Sequence, residues 1–177
     1  MCHMKVGFYF KADDLKRWLR AVENLAKQAQ LAEKKLPFEG AVAYRNLVLQ
    51  NLSHQRYGWH RLSASYAEWK ANHGYPTKFW QMTGELIRAI RVFRAKGYRN
   101  KDGWAGGVDP NMYAPKIGWS NKPRGNIRII QYALYTEEGT KTQPPRPLFM
   151  PTAYDYAERL WPVLGAKYHN RFRSVWR

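Results

Sequence analysis

Histidine is the commonest metal ligand, so the first residues to weigh for chemistry are His54, His60 and His73. Their spacings, without a nearby cysteine or paired carboxylates, fit no common zinc pattern, and they read as surface or core-edge residues. The chain has no Gly-x-Ser-x-Gly, no phosphate-cradling glycine loop and no His-Glu-x-x-His. Its acidic residues are few and scattered, which argues against a two-carboxylate active site. The sequence therefore offers no positive evidence for catalysis, and no cofactor or metal is expected.

The remaining chemistry is electrostatic. Residues 78–128 hold eleven cations (Lys78, Arg88, Arg91, Arg94, Lys96, Arg99, Lys101, Lys116, Lys122, Arg124 and Arg128) against three acids, Glu85, Asp102 and Asp109. Phe93, Tyr98 and Trp104 are interleaved with them, and Arg171, Arg173 and Arg177 end the chain beside Phe172 and Trp176. Basic residues mixed with aromatics suit a nucleic-acid groove, where cations neutralise phosphates and rings stack on bases. They equally suit a protein interface anchored on an acidic surface. The scarcity of acids argues against a merely solvated face. The protein interface is favoured, because Trp104, Trp119 and Trp176 near these charges suit anchoring in pockets. Arg146, rigidly held between Pro145 and Pro147, is placed for a bidentate salt bridge within the domain or across a subunit boundary.

The whole chain has the same bias. It has 177 residues and a formal net charge of +17, which points to an acidic partner: nucleic acid, an anionic membrane or acidic protein surfaces. Its hydrophobic content of 45% suffices for a core, so global disorder is not expected. The single cysteine, Cys2, excludes an intrachain disulfide and is compatible with assembly in a reducing cytosol. No apolar run approaches the roughly 18 residues of a membrane span, and the first residues lack a signal-peptide pattern. A soluble protein without a membrane partner is expected.

The elements that must position these residues are legible from periodicity. Residues 1–12 read as an arm or edge strand. Leu15, Trp18, Leu19, Val22, Leu25, Ala26 and Ala29 recur at helical spacing and predict an amphipathic helix over 14–35. Pro37 is expected to break it, with a second helix over 38–53. Ser65-x-x-Glu68 is a capping-box pattern and predicts a short helix over 65–72. Thr83 is expected to cap a helix from Gly84 to about Arg91. Residues 91–95 and 104–108 read as strands, 108–126 as mostly loop, and 126–135 as a strand followed by a helical turn. A last helix is expected over 152–172, kinked or restarted at Pro162. The predicted fold is α+β, a single domain over 1–177. It has N-terminal helices, a small mostly antiparallel sheet and a C-terminal helix packed near it, with a loop-rich insertion at 96–126 and a basic tail at 165–177.

Residues 132–151 read as a stiff connector. Glu138-Gly139-Thr140 turns the chain, and Pro144-Pro145-Arg146-Pro147 cannot be helix interior or central strand. Tyr132, Ala133, Glu138, Gly139, Thr140, Pro145, Arg146, Pro147, Leu148 and Phe149, followed by a helix, resemble the C-terminal signature of small morphogenesis proteins of tailed bacteriophages. The middle of the chain is similar to the same family. Its Leu62-Ser-Ala-Ser-Tyr-Ala-Glu-Trp-Lys70, then Trp80-x-x-Thr83-Gly84-x-Leu86-x-x-x-Ile90, match that family's middle segment. Together the two motifs span 60–150. The first helix and the basic tail match no fixed motif, and the 96–126 insertion departs from simpler members.

The resemblance implies a structural virion protein of the neck or tail end, assembled in the host cytoplasm, that completes the tail and joins it to the head. It implies a homo-oligomeric ring, a hexamer or dodecamer, contacting neighbouring neck and tail proteins and leaving a lumen where non-specific DNA contact is possible. Arg88, Arg91, Arg94, Lys96, Arg99, Lys101, Lys122, Arg124, Arg146, Arg171 and Arg173 would face partners or DNA. Thr83, Gly84, Glu138, Gly139, Thr140, Pro147 and Phe149 would be structural, and Phe149 is expected to be largely buried, with Pro144–Phe149 fixing the last helix to the domain. The alternatives are a tail-terminator ring protein and, from another class, a basic single-stranded nucleic-acid-binding protein.

Overall fold

The computed structural model describes residues 12–80, 84–96, 102–117 and 123–174. The fold is α+β. The chain divides into two compact units, Met1–Leu36 with Val163–Arg177, and Pro37–Pro162.

Helix α1, Ala12–Ser53, is continuous for 42 residues. The two helices expected over 14–35 and 38–53 are therefore one, and Pro37 lies inside it. A proline lacks one amide donor and so removes one rung of the i→i−4 ladder. The rungs on either side can still propagate the helix, which is why an interior proline can bend a helix instead of ending it. Pro37 is also where the first unit gives way to the second along the chain. In the first unit Ala32 and Tyr168 are buried, whereas Leu15, Trp18 and Leu19 on the early turns of α1 remain exposed.

The second unit holds the core. Val48 and Leu52 from α1 meet Trp59, Trp80, Leu86, Ala89, Ile90, Val108, Ile129, Ala133 and Leu148. Val48, Leu52, Ile90 and Leu148 are 1% exposed or less, and each such burial contributes about 1.5–3 kcal/mol. The tryptophans extend this core into an aromatic cluster. Trp59 packs edge-on to Phe79 at 5.9 Å, and Trp80 packs edge-on to Phe149 at 5.7 Å.

Helix α2 is Ala64–Asn72, and its N-cap is Ser63 with no side-chain capping bond. The expected capping box is thus not formed, because Ser65 already lies inside the first turn. Helix α3 is the short Glu85–Ala89, preceded by Gly84 at φ 77°, so Gly84 rather than Thr83 occupies the N-cap position. The chain turns extended at Ile90, earlier than the helix end expected near Arg91.

Strand β1, Ile90–Lys96, pairs antiparallel with β2, Asp102–Val108, in the register Ile90↔Val108 to Lys96↔Asp102. Gly106 lets β2 lie against α1: a Cβ there would collide with the Ala41 carbonyl oxygen and sit 3.2 Å from the Arg45 amide nitrogen. Arg45 reinforces the contact, donating from Nε to the Ile90 carbonyl at 3.2 Å.

The stretch expected to be mostly loop, 108–126, instead contributes a second ribbon. It consists of β3, Tyr113–Ile117, antiparallel to β4, Pro123–Arg128. Proline and glycine suggested loop, but each strand of a two-stranded ribbon has one unpaired edge. Pro115 lies where the register shifts, so its missing donor breaks no regular ladder. Among the described residues the expected sheet is therefore two separate two-stranded sheets.

Helix α4, Ile129–Glu138, follows β4 directly. The last helical region starts at α5, Phe149–Asp155, passes through a π-helical turn at Tyr156–Leu160 and continues as α6, Trp161–Ser174. Pro162 is the second residue of α6, where its missing amide is tolerated after the π turn.

Candidate functional site

The connector between α4 and α5 is built from both ends. Gly139 follows α4 at φ 80°, and a Cβ there would lie 2.8 Å from both the Gln143 carbonyl oxygen and the Pro145 nitrogen, so only glycine fits. Thr140 and Gln143 then exchange backbone hydrogen bonds at 2.8 and 3.3 Å, closing a tight turn. The Thr142 amide donates to Thr140 Oγ1 at 3.3 Å, and Glu138 remains exposed.

Arg146 is pinned along its backbone. Its amide donates to the Thr136 carbonyl at 2.8 Å, and its carbonyl accepts from Trp80 Nε1 at 3.2 Å. The Pro147 carbonyl accepts from Trp59 Nε1 at 2.8 Å. Leu148 enters the core fully, whereas Phe149 is only half-buried: its ring meets Trp80 and its carbonyl accepts from the Tyr44 hydroxyl at 3.0 Å. Phe149 was expected to be the buried anchor of this stretch. Leu148 takes that place, because Phe149 already starts α5 and rotates toward the rim of the core. Burial, followed by the Glu137 charge, pushes the Tyr44 hydroxyl up to about 12.

The residue that ties α4 to α5 is Glu137, not the neighbouring Glu138. Its Oε2 accepts from the Leu148 amide at 2.7 Å and the Phe149 amide at 3.0 Å, and its Oε1 from the Met150 amide at 3.0 Å. A carboxylate at the amide-rich start of α5 satisfies donors that have no partner within the helix and suits the helix dipole. A second polar tie joins the end of α1 to α5. Asn51 Nδ2 donates to the Tyr57 hydroxyl at 2.7 Å and to Thr152 Oγ1 at 3.1 Å, and the Tyr57 hydroxyl donates to Asp155 Oδ2 at 3.0 Å. Neither tie has a local sequence signature, since the partners come from segments far apart in the chain.

The Arg146 side chain is 4% exposed. Its guanidinium carbon stands 4.8 Å from the centre of the Phe79 ring, and Nε reaches the His60 carbonyl at 3.4 Å. The salt bridge expected within the domain is not made among the described residues, where the ion pairs are Arg56–Asp155 at 3.6 Å and Arg88–Glu85 at 3.5 Å. Burial lowers the Arg146 pKa, while the nearby Tyr132 and Tyr66 act in the opposite sense. Lys70, 3% exposed, lies beside the same Tyr66, its Nζ 6.0 Å from the ring centre and donating to the Lys78 carbonyl at 2.9 Å. Burial brings the Lys70 amine down to about 8.

The other basic candidates separate into groups. Arg88, Arg91 and Arg94 are exposed. Arg91 Nε donates to the Arg88 carbonyl at 3.1 Å, and Arg94 sits over Trp104 at 5.4 Å. Trp104 is itself partly exposed and packs edge-on to Phe38 at 4.9 Å. Arg128 lies over Tyr113 at 5.7 Å and donates to its hydroxyl at 2.8 Å. Lys96 ends β1 opposite Asp102, and Arg124 lies in β4. Arg171, exposed, lies over Tyr168 at 5.4 Å, and Arg173 is exposed near the end of α6. Thr83, Arg99, Lys101, Lys122, Trp119 and Trp176 fall outside the described residues.

The structure thus brings Arg94 and Trp104 together on the β1–β2 ribbon. Arg171 and Arg173 belong to the other compact unit. His54, His60 and His73 are exposed, and no group of three or more His, Cys, Asp or Glu able to hold a metal occurs among the described residues. No helix among the described residues is long and apolar enough to cross a membrane. Comparison with family models, curated protein sequences and solved structures finds no match.

Proposed function

We propose that this protein is a structural subunit of a tailed-bacteriophage virion. It forms a homo-oligomeric ring at the neck or tail end that completes the tail and joins it to the head. The observation that carries this reading is the pair of motifs at 62–90 and 132–149, which resemble those of phage head–tail joining proteins. The fold supports treating them as one unit: Trp80 of the first motif donates to the Arg146 carbonyl of the second at 3.2 Å, and Leu86, Ile90, Ala133 and Leu148 share one core.

The mechanism is binding without a reaction. A subunit that meets its neighbours by heterologous contacts closes into a ring when the rotation between copies closes. The connector, fixed by Glu137, Trp59 and Trp80, holds α4 and α5 in register, so surfaces on both helices dock as one rigid face. The exposed arginines of the β1–β2 ribbon steer that face toward an acidic neighbour.

The test is removal of the gene from a phage that encodes it. Filled heads and separate tails are expected; normal yields of infectious, joined particles would overturn the reading. The stacked pairs Arg94–Trp104 and Arg128–Tyr113 favour a second reading, a basic protein that binds single-stranded nucleic acid. Steeply salt-dependent binding of single-stranded DNA by the isolated monomer would select it.

A further inference from the structure

Among the described residues the buried charged side chains are Arg146 and Lys70, both cations, and no buried carboxylate accompanies them. Lys70 has an acceptor in the Lys78 carbonyl. Arg146 is different. A guanidinium carries five N–H donors, and here Nε alone is engaged, by a long bond of 3.4 Å to the His60 carbonyl. Its Nη groups make no hydrogen bond among the described residues, and they are not sealed away from solvent. Meanwhile the backbone of Arg146 is fixed by Thr136 and Trp80, and the guanidinium face is covered by Phe79. A planar fork of donors is therefore held in place with its outer edge unused.

We propose that Arg146 is a receptor for a carboxylate side chain of a protein partner, which the Nη edge grips beside Phe79 and Tyr66. The ligand follows from shape and chemistry. Two parallel N–H donors match the two oxygens of a carboxylate, a geometry that lysine cannot supply. Only 4% of Arg146 is exposed, so the anion must arrive on a slim stem. An Asp or Glu carboxylate does so, whereas a nucleic-acid phosphate is embedded between two sugars and is too bulky. Because the fork is already ordered by its neighbours, little side-chain freedom is lost on binding. The site deepens the assembly reading by naming a contact between subunits, but it rests on the geometry of Arg146 itself.

The experiment is an acetate titration of the full-length protein at constant ionic strength, with chloride as the balancing anion. It is read by the side-chain nitrogen resonances of 15N-labelled arginine. The Arg146 resonance, identified by its proximity to the Phe79 ring protons, is expected to shift saturably, while exposed Arg88 and Arg171 barely move. Arg146→Lys is expected to weaken acetate binding about tenfold, since it keeps the charge and loses the fork. The ring-proton assignment keeps the test valid should that variant not fold.

An Arg146 resonance that does not move, or that moves no more than those of the exposed arginines, would overturn the proposal. So would an equal response to inorganic phosphate, because the site would then not discriminate for a carboxylate. Sedimentation of the wild type distinguishes the source: self-association reversed by acetate identifies a second copy as the donor, and a monomer at all concentrations identifies a different protein. A phage that joins normally without the gene would remove the ring reading and leave the acetate result standing, so the two failures are distinguishable.

Discussion

Glu137→Ala tests whether the connector is held by the carboxylate tie. The wild-type side chain accepts three amides, from Leu148, Phe149 and Met150, at 2.7 to 3.0 Å. Loss of a capping acceptor costs about 1 kcal/mol and at most about 2. Loss of a negative charge at a helix start adds about 0.3–1 kcal/mol. The Leu148 amide belongs to a fully buried residue, and leaving it unsatisfied costs about 1–3 kcal/mol. The Met150 amide is on an exposed residue where water can replace the lost bond, so it adds little. These contributions overlap, and about 3 kcal/mol is expected in total.

Glu137→Gln keeps an oxygen for the Leu148 and Phe149 amides but loses the charge and turns a donor toward Met150, so about 1 kcal/mol is expected. The assay is urea unfolding followed by circular dichroism, with the transition midpoint lowered and its slope unchanged. A Glu137→Ala midpoint corresponding to less than about 0.5 kcal/mol, the range of an ordinary surface substitution, would refute the reasoning. So would a glutamine variant as unstable as the alanine variant.

Leu148→Ala should cost about 2–5 kcal/mol and Phe149→Ala clearly less than the about 3–5 kcal/mol of a fully buried phenylalanine, as compared by urea midpoints. Equal or reversed losses would show that Phe149 is the true anchor. Lys70, held down at about 8, makes stability depend on pH. Between about pH 8 and 10 the unfolded chain binds a proton that the folded chain has released, so stability rises with pH. Above about pH 10 the raised Tyr44 opposes this, because the folded chain then keeps a proton that the unfolded chain loses. Lys70→Met should abolish the rise, as measured by urea midpoints from pH 7 to 10. Under the proposed function, replacing Arg91, Arg94, Arg99 and Lys101 with Gln should leave the circular dichroism unchanged and slow head–tail joining most at low salt, where charges are least screened. Wild-type joining at every salt concentration would show that these charges are only solvated.

What the sequence determined by itself is local. Periodicity placed α1 and the β1–β2 pair, because helix and strand repeats are written in neighbouring residues. Pro-Arg-Pro marked a segment that can be neither helix interior nor central strand, and the charge imbalance made an acidic partner the expectation. What only the tertiary structure decided involves residues that meet across long stretches of chain. Pro37 reads as a breaker from sequence, yet α1 continues through it, because the cost of one missing rung is not visible without the rungs around it. The prolines of 108–126 read as loop, yet two strands pair there, because a two-stranded ribbon leaves edges where a donor is not needed. Nothing in the sequence sets Glu137 apart from Glu138, because the amides it caps lie beyond a turn and are brought back only by folding. Arg146 was legible as a rigid cation seeking a carboxylate. That its neighbours would be Phe79, Tyr66 and a backbone carbonyl, and no acid among the described residues, is set by how the two motifs pack on each other.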